Sequence, residues 1–307
     1  MDIIHKSFRT HSLKGNWVIT IGNFDGFHLG HQQLVQQVLE EGKRYDANCA
    51  ILTFDPHPKI ILQPKVPVRQ IYDLHTKLIF FEQAQLDACF IIPFTNELAN
   101  LEPEEFAEKL FSFIDIKKVI VGYDFNFGKS RSGSAGFLEK EAVNRGIDFH
   151  QLEPVKWEAL TVSSTMIRRL LFEGDFSEVE TLLGRKWSIN GIVIKGRQLG
   201  RKTGFPTLNL KPEIVLPVRN GVYFITAEVE TRSFNGIANI GFRPTLDDHE
   251  LVVEAHLFDV EENLYGKDVQ IFPIKFLREE QKFDSIDHLA RQIGKDVEQA
   301  RQYFSNR

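Results

Sequence analysis

Apolar positions in the first half of the chain alternate between short unbroken runs and helical spacings. Residues 17–21 form a β-branched run with the character of a buried strand, and Leu34, Val35, Val38 and Leu39 follow at helical spacing. Residues 49–54 form a second run, stopped by Asp55-Pro56-His57-Pro58, where two prolines forbid continuation. Leu74, Leu78, Phe81 and Gln85 mark a helix, 88–92 a third strand, 104–113 a helix and 119–121 a fourth strand. Such alternation predicts a parallel sheet covered by helices on both faces, with ligands at the carboxyl ends of the strands. The turn after Ile21, the segment Asp55 to Pro58 and the loop Gly122 to Gly128 all fall at that edge.

The pattern changes near Gly184. Beyond Trp187 the chain reads as short β runs at 189–194, 222–230, 234–239, 251–258 and 268–276, separated by turn signals at Gly196, Pro217, Asn220-Gly221 and Gly266. This predicts an antiparallel sheet or small barrel. A helical tail over 287–304 should turn Leu289, Ile293, Val297, Ala300 and Phe304 inward. The expected architecture is α/β: a Rossmann-like parallel-sheet domain over 1–184, then a small antiparallel β-barrel domain with a C-terminal helix over 185–307.

Composition narrows the function classes. With 307 residues, the chain suits two domains of ordinary size, and a net charge of −5 argues against a nucleic-acid partner. No stretch reaches the ~18 apolar residues of a membrane span, so no membrane partner is expected. Cys49 and Cys89 sit inside apolar runs, which favours buried free thiols and a reducing cytoplasm. Monomer or weak homo-oligomer is as far as the pattern reaches.

Gly22-Asn23-Phe24-Asp25-Gly26-Phe27-His28-Leu29-Gly30-His31 joins the first strand to the first helix. Gly22 and Gly26 permit close ligand approach or positive φ, and the helix points its unpaired N–H groups back at the turn, where an anion fits. His28 and His31, three apart, share a helix face and can donate to one phosphate group. No Gly-Lys-Ser/Thr closes the loop, its glycines are spaced wrongly for a dinucleotide fingerprint, and two histidines alone make an incomplete zinc site. A plain glycine-rich turn with two surface histidines is the alternative. The whole stretch resembles the His-x-Gly-His signature of the nucleotidyltransferase superfamily, and its extended form that of the bacterial FAD synthetase branch. The resemblance implies that His28 and His31 stabilise phosphate charge as pyrophosphate leaves, with Gly22, Asn23, Phe24, Asp25 and Gly26 at the nucleotide.

Gly122-Tyr123-Asp124-Phe125-Asn126-Phe127-Gly128, followed by Arg131 and Gly133, reads alone as a turn with packed aromatics. It resembles a second FAD synthetase segment, which brings Asp124, Phe125 and Arg131 to the nucleotide. Val162-Ser163-Ser164-Thr165 is an N-cap cluster opening a helix with Arg168. The corresponding family segment lines the ATP phosphates, which implies that role for Ser164, Thr165 and Arg168.

The second half carries a basic, glycine-rich stretch over 196–209, from Gly196 through Gly200, Arg201, Gly204 and Pro206 to Thr207, Leu208 and Asn209. Such a loop suits a phosphate, or is simply a basic surface loop. It resembles the riboflavin kinase motif Gly-Arg-x-x-Gly-Phe-Pro-Thr-Ala-Asn, with Leu208 in place of the usual alanine. The likeness implies that Thr207 and Asn209 hold the Mg²⁺ of ATP. Asn220 to Tyr223, Asn239 to Thr245, Glu254 to Asp259 and Leu264 to Gly266 match that family in order, which places Glu254 as base and Asn239 and Arg278 among the nucleotide contacts.

Together the two resemblances imply a bifunctional flavin enzyme that makes FMN, then FAD, from riboflavin and ATP with Mg²⁺. Two other classes stay open at this point: a nucleotidyltransferase of different substrate with a binding-only β domain, and a flavin-responsive regulator without catalysis.

Overall fold

The computed structural model describes residues 1–5, 15–196, 200, 204–244, 249–260 and 262–306. It separates into two compact units, one of residues 1–68 with 72–164, the other of 69–71 with 165–307. The division falls after Ser164, the first residue of the helix Ser164–Glu173, so the rest of this helix and the helix Phe176–Leu183 count with the second unit.

The first unit is a six-stranded parallel sheet in the spatial order 2–5, 88–93, 48–55, 17–21, 116–121, 148–151. Strand Trp17–Ile21 is central and wholly buried. Alternate side chains feed two cores. Trp17, Ile19 and Ile21 meet Phe106, Leu110 and Phe113 on one face, while Val18 joins Leu34, Val35, Val38 and Phe81 on the other. Helices thus cover both faces, Leu29–Tyr45 and Leu74–Gln83 on one and Pro103–Phe113 and Ala135–Val143 on the other. From Trp17–Ile21 the chain steps one way to 48–55 and 88–93, then returns to place 116–121 on the opposite flank. That reversal is a topological switch point, and the crevice at the carboxyl ends of these two strands is where such sheets bind ligands.

The second unit holds a six-stranded antiparallel sheet in the order 189–192, 268–278, 221–229, 232–244, 249–257, 208–210. Its edges approach each other: Ile194 bridges Asn209, with the Ile194 N–H donating to the Asn209 carbonyl at 2.9 Å, so the sheet is a nearly closed barrel. Register shifts between 221–229 and 268–278 help the sheet curl. The C-terminal helix Ile286–Ser305 starts at Ser285, whose hydroxyl accepts the His288 N–H, and it lays Ile293, Val297, Ala300 and Phe304 on Val222 and Phe224.

Several element bounds differ from expectation. The helix read through Gln85 ends at Gln83, with Gln85 in the left-handed region (φ 61°). Ile194 lies beyond its strand, which ends at Ile192, and the strand read as 234–239 runs Arg232–Pro244. Among the described residues several strands carry no pattern that sequence reveals. Asp2–His5 and Asp148–Gln151 are short, mostly exposed sheet edges, and Leu208–Leu210 is three residues long. The helices Ala135–Val143 and Phe176–Leu183 went equally unread.

Candidate active sites

The first site is a backbone turn. Gly22 extends the central strand by donating its N–H to the Leu52 carbonyl at 3.0 Å. Phe24, Gly26 and Phe27 then take positive φ of 49°, 87° and 42°. The two phenylalanines are driven there by their rings, which enter the core beside Phe81 at centroid distances of 5.8 and 5.4 Å. Gly22 itself is not left-handed; a Cβ there would meet the Phe24 ring at 3.3 Å. Asp25 is buried, its carboxylate accepting the Tyr72 N–H at 3.3 Å and its carbonyl accepting the Ser164 hydroxyl at 2.8 Å.

His28 caps the helix Leu29–Tyr45, its Nδ1 accepting the His31 N–H at 3.4 Å. With Nδ1 an acceptor, the neutral ring carries its proton on Nε2. The two imidazoles stack at 3.7 Å between centroids, 17° from parallel. Gly30 makes room for this pair, since a Cβ there would lie 3.2 Å from the His28 ring. No acidic residue occupies the helix's first turn, so its positive end is not offset from within the helix. The arrangement supplies imidazole and backbone donors at one point, as a departing polyphosphate requires.

The other candidates have varied settings. Asn23 has its Oδ1 buried without a hydrogen-bond partner among the described residues, and its carbonyl accepts the Lys77 ammonium at 3.1 Å. Asp124 is exposed in the loop after Ile116–Val121, and its carbonyl accepts from the Asn126 amide at 2.8 Å. Phe125 is a packing residue, stacked on Phe127 at 5.6 Å, and Arg131 is exposed at φ 61°. Thr165 follows Ser164 in its helix as an exposed residue, and Arg168 is half-buried. Lys77, 4% exposed, is absent from the sequence reading because a single lysine at helical spacing looks like any solvated one.

The second site is a row of side chains fixed by strand register. Asn209 lies opposite Glu254, Glu254 opposite Asn239, Asn239 opposite Val222, and Val222 opposite Arg278. Directly paired residues project from one face, so five strands contribute to one line. Val253 and Ala255 are fully buried on the other face, which sets half-buried Glu254 apart from its apolar neighbours. Asn209 is 4% exposed, and its amide donates to the Thr207 carbonyl at 3.4 Å. Two glycines wall this segment: a Cβ at Gly196 would fall 2.3 Å from Asn209 Oδ1, and one at Gly200 would fall 2.3 Å from the Phe205 carbonyl and 3.2 Å from Thr207 Oγ1. Gly204 takes φ 81°. Pro206 is gripped through its carbonyl, 2.8 Å from His256 Nδ1, and burial holds that imidazole below its ordinary pKa.

The row is not uniform. The Asn239 amide donates to Glu280 at 2.9 Å. Arg278 turns its guanidinium to Asp296 of the C-terminal helix, at 3.0 and 2.7 Å, and to the Glu279 carbonyl. Arg201 lies outside the described residues. Among the described residues no group of three or more His, Cys, Asp or Glu is placed to hold a metal ion, and no helix is long and apolar enough to cross a membrane.

A switch-point turn that presents imidazoles and helix N–H groups, in one chain with a barrel carrying a carboxylate between two amides, defines a two-unit nucleotide-using transferase. A family model of FAD synthetase matches residues 10–166 and one of riboflavin kinase matches residues 183–304. Curated bifunctional riboflavin kinase/FMN adenylyltransferases from Haemophilus influenzae and Bacillus subtilis are each 32% identical, over 100% of this chain and 100% and 99% of theirs. The Escherichia coli protein of that name is 34% identical over 94% of this chain and 92% of its own. The crystal structure of a macrolide-efflux protein from Streptococcus pneumoniae superposes with a TM-score of 0.81 at 27% identity, covering 98% of this chain and 99% of that one. The chain belongs to the bifunctional riboflavin kinase/FMN adenylyltransferase family.

Proposed function

We propose that the two activities divide at about residue 185, with FMN adenylylated in residues 1–184 and riboflavin phosphorylated in residues 185–307. The chain is an enzyme of flavin biosynthesis that converts riboflavin to FMN and FMN to FAD, with ATP as co-substrate of both steps. That retires the readings as a transferase of other substrate and as a regulator without catalysis.

In the adenylyl step a phosphate oxygen of FMN attacks the α-phosphorus of ATP, a new P–O–P bond forms, and the bond to pyrophosphate breaks. His28 and His31 stabilise the charge that collects on the departing group, and the turn 22–26 holds the nucleotide. Asp124, Ser164, Thr165 and Arg168 position the reactants, with Phe125 and Arg131 at the nucleotide. The observation that carries this reading is the stacked histidine pair at a helix N-terminus with no acidic residue in its first turn.

In the kinase step Glu254 takes the proton of the ribityl hydroxyl as its oxygen attacks the γ-phosphorus, and ADP leaves. Asn239 and Asn209 flank Glu254 across the sheet. Thr207 and Asn209 would hold Mg²⁺, which neutralises phosphate charge when bound. Two neutral oxygens with a nearby carboxylate suit Mg²⁺, which takes few protein ligands and shares its shell with water and phosphates. The lack of a described acid cluster agrees with that sharing. Gly196, Gly200, Arg201, Gly204 and Pro206 are assigned to the phosphate loop. The two free, buried cysteines support a reducing cytoplasm. A monomer or weak homo-oligomer, without nucleic-acid or membrane partners, completes the proposal.

The test is incubation of pure protein with riboflavin, ATP and Mg²⁺, with FMN and FAD separated by chromatography. Wild type should yield both, chelation of Mg²⁺ neither, and His31→Ala should stop at FMN. Undiminished FAD from His31→Ala would remove the assignment of the turn.

A further inference from the structure

The segment 72–77 lies outside every motif described above, yet it supports the nucleotide turn from beneath. Lys77, on the helix Leu74–Gln83, donates through Nζ to the Asn23 carbonyl at 3.1 Å. Five residues earlier, the Tyr72 N–H donates to the Asp25 carboxylate at 3.3 Å. Alternate residues of the turn, 23 and 25, are therefore tied to one short stretch of chain. Between and beyond them stand Phe24 and Phe27, non-glycine residues at positive φ. Such conformations persist only where the surroundings over-determine them.

Charge gives the second half of the argument. Lysine is almost never fully buried without a partner, and Lys77 is 4% exposed. Asp25, 2% exposed, puts a carboxylate inside the very loop that must accept a polyphosphate. Burial pushes the Lys77 ammonium below its ordinary range, and Asp25, Asp55 and Asp73 pull it back up. Those three carboxylates would oppose a phosphate ligand if nothing balanced them. With the ammonium in place, the helix N–H groups and the histidine pair face the ligand against a compensated background.

We propose that Lys77 is a positioning residue for adenylyl transfer, which tethers the Asn23 peptide and balances Asp25 so that the turn is set for the ATP phosphates. The inference rests on the reading of that turn as the adenylyl-transfer site. Its test uses full-length Lys77→Met, assayed for FAD formation from supplied FMN and for FMN formation from riboflavin. The KM for ATP in FAD formation should rise about tenfold, the size expected when a charge-assisted tether is lost. The KM for ATP in FMN formation should stay within about twofold, because that step belongs to the other unit. A smaller folded fraction lowers Vmax but leaves KM alone, so a fall in Vmax at unchanged KM overturns the inference. Lys77→Arg, which keeps charge and donors, should hold KM nearer to wild type than Lys77→Met does. If Lys77→Met does not fold, Lys77→Gln, polar and uncharged, carries the same measurement. His31→Ala run alongside separates the two levels: undiminished FAD formation by that variant defeats the reading of the turn, whereas its loss together with an unchanged KM in Lys77→Met defeats the role of Lys77 alone.

Discussion

The two units handle the same co-substrate with opposite construction. In the first, the proposed charge-stabilising groups come from ten consecutive residues, and the backbone shapes much of the turn: three residues at positive φ, then the N–H groups of one helix. In the second, the backbone is regular and the candidate groups are side chains brought into line by pairing, from Asn209 through Glu254 and Asn239 to Arg278. A parallel sheet leaves its ligand at the ends of strands, so a turn must be shaped to receive it. An antiparallel barrel offers its face, so register places the chemistry. The first design depends on local conformation, the second on long-range pairing.

The largest expected effect separates the units outright. Glu254→Gln keeps the strand and its neighbours but removes the proposed base, and a general base contributes about 10²–10⁴-fold. FMN formation should fall by that factor while FAD formation from supplied FMN continues. Near-normal riboflavin phosphorylation would move the base elsewhere, with Asp259 next to be tested, although Asp259 is exposed and paired with Arg301 at 2.9 Å.

The reciprocal variant is slightly milder. His28→Ala removes both a candidate charge stabiliser and the acceptor that caps the helix, and loss of one preorganised donor costs about 10²–10³ in rate. FAD formation should drop by that much with FMN formation untouched. If both activities fell together in either variant, the independence of the two sites would be lost with them.

The contrast in construction also explains what could be read from the chain. Motifs made of contiguous backbone, such as 22–31, are visible because glycine, histidine and the strand-to-helix change sit side by side. The central strands were visible because burial on both faces makes them unbroken apolar runs, as in 17–21 and 88–93. The edge strands were not, since Asp148–Gln151 turns only one apolar residue, Phe149, to the core. Thr207, Asn209 and Glu254 could be named through family resemblance, but only the topology shows that Asn209 and Asn239 flank Glu254. Lys77 and Asp296 are a different failure: each is a charged residue at an inward helical position, which polarity alone assigns to solvent. Cys49 and Cys89 were legible as buried thiols, and burial pushes them up to about 11 and about 12.

A smaller effect tests how tightly the barrel row is walled. Gly196→Ala adds one Cβ 2.3 Å from the Asn209 side-chain oxygen, so the amide must shift. Asn209 is expected to share Mg²⁺ with ATP, and displacing it should lower FMN formation by roughly tenfold, the scale of a single charge-assisted contact. The KM for Mg²⁺ should rise with it, and FAD formation from FMN should not change. An unaltered Mg²⁺ requirement would mean that Asn209 is packing rather than ligand.

The smallest expected effect on activity concerns the far end of the row. Arg278 is expected at the nucleotide, and its guanidinium donates to both oxygens of Asp296, a residue 1% exposed that also accepts the Gln292 amide at 2.9 Å. Arg278→Lys keeps the charge and one donor yet gives up the planar fork that meets both carboxylate oxygens. Losing part of a charge-assisted pair costs about 2 kcal/mol, which lowers the melting temperature of a unit of this size by roughly 7 °C. If Arg278 serves mainly to anchor the C-terminal helix, the variant should melt earlier while the KM for ATP in FMN formation stays within about twofold. A raised KM for ATP at unchanged melting temperature would return Arg278 to the nucleotide and extend the catalytic line across all five strands.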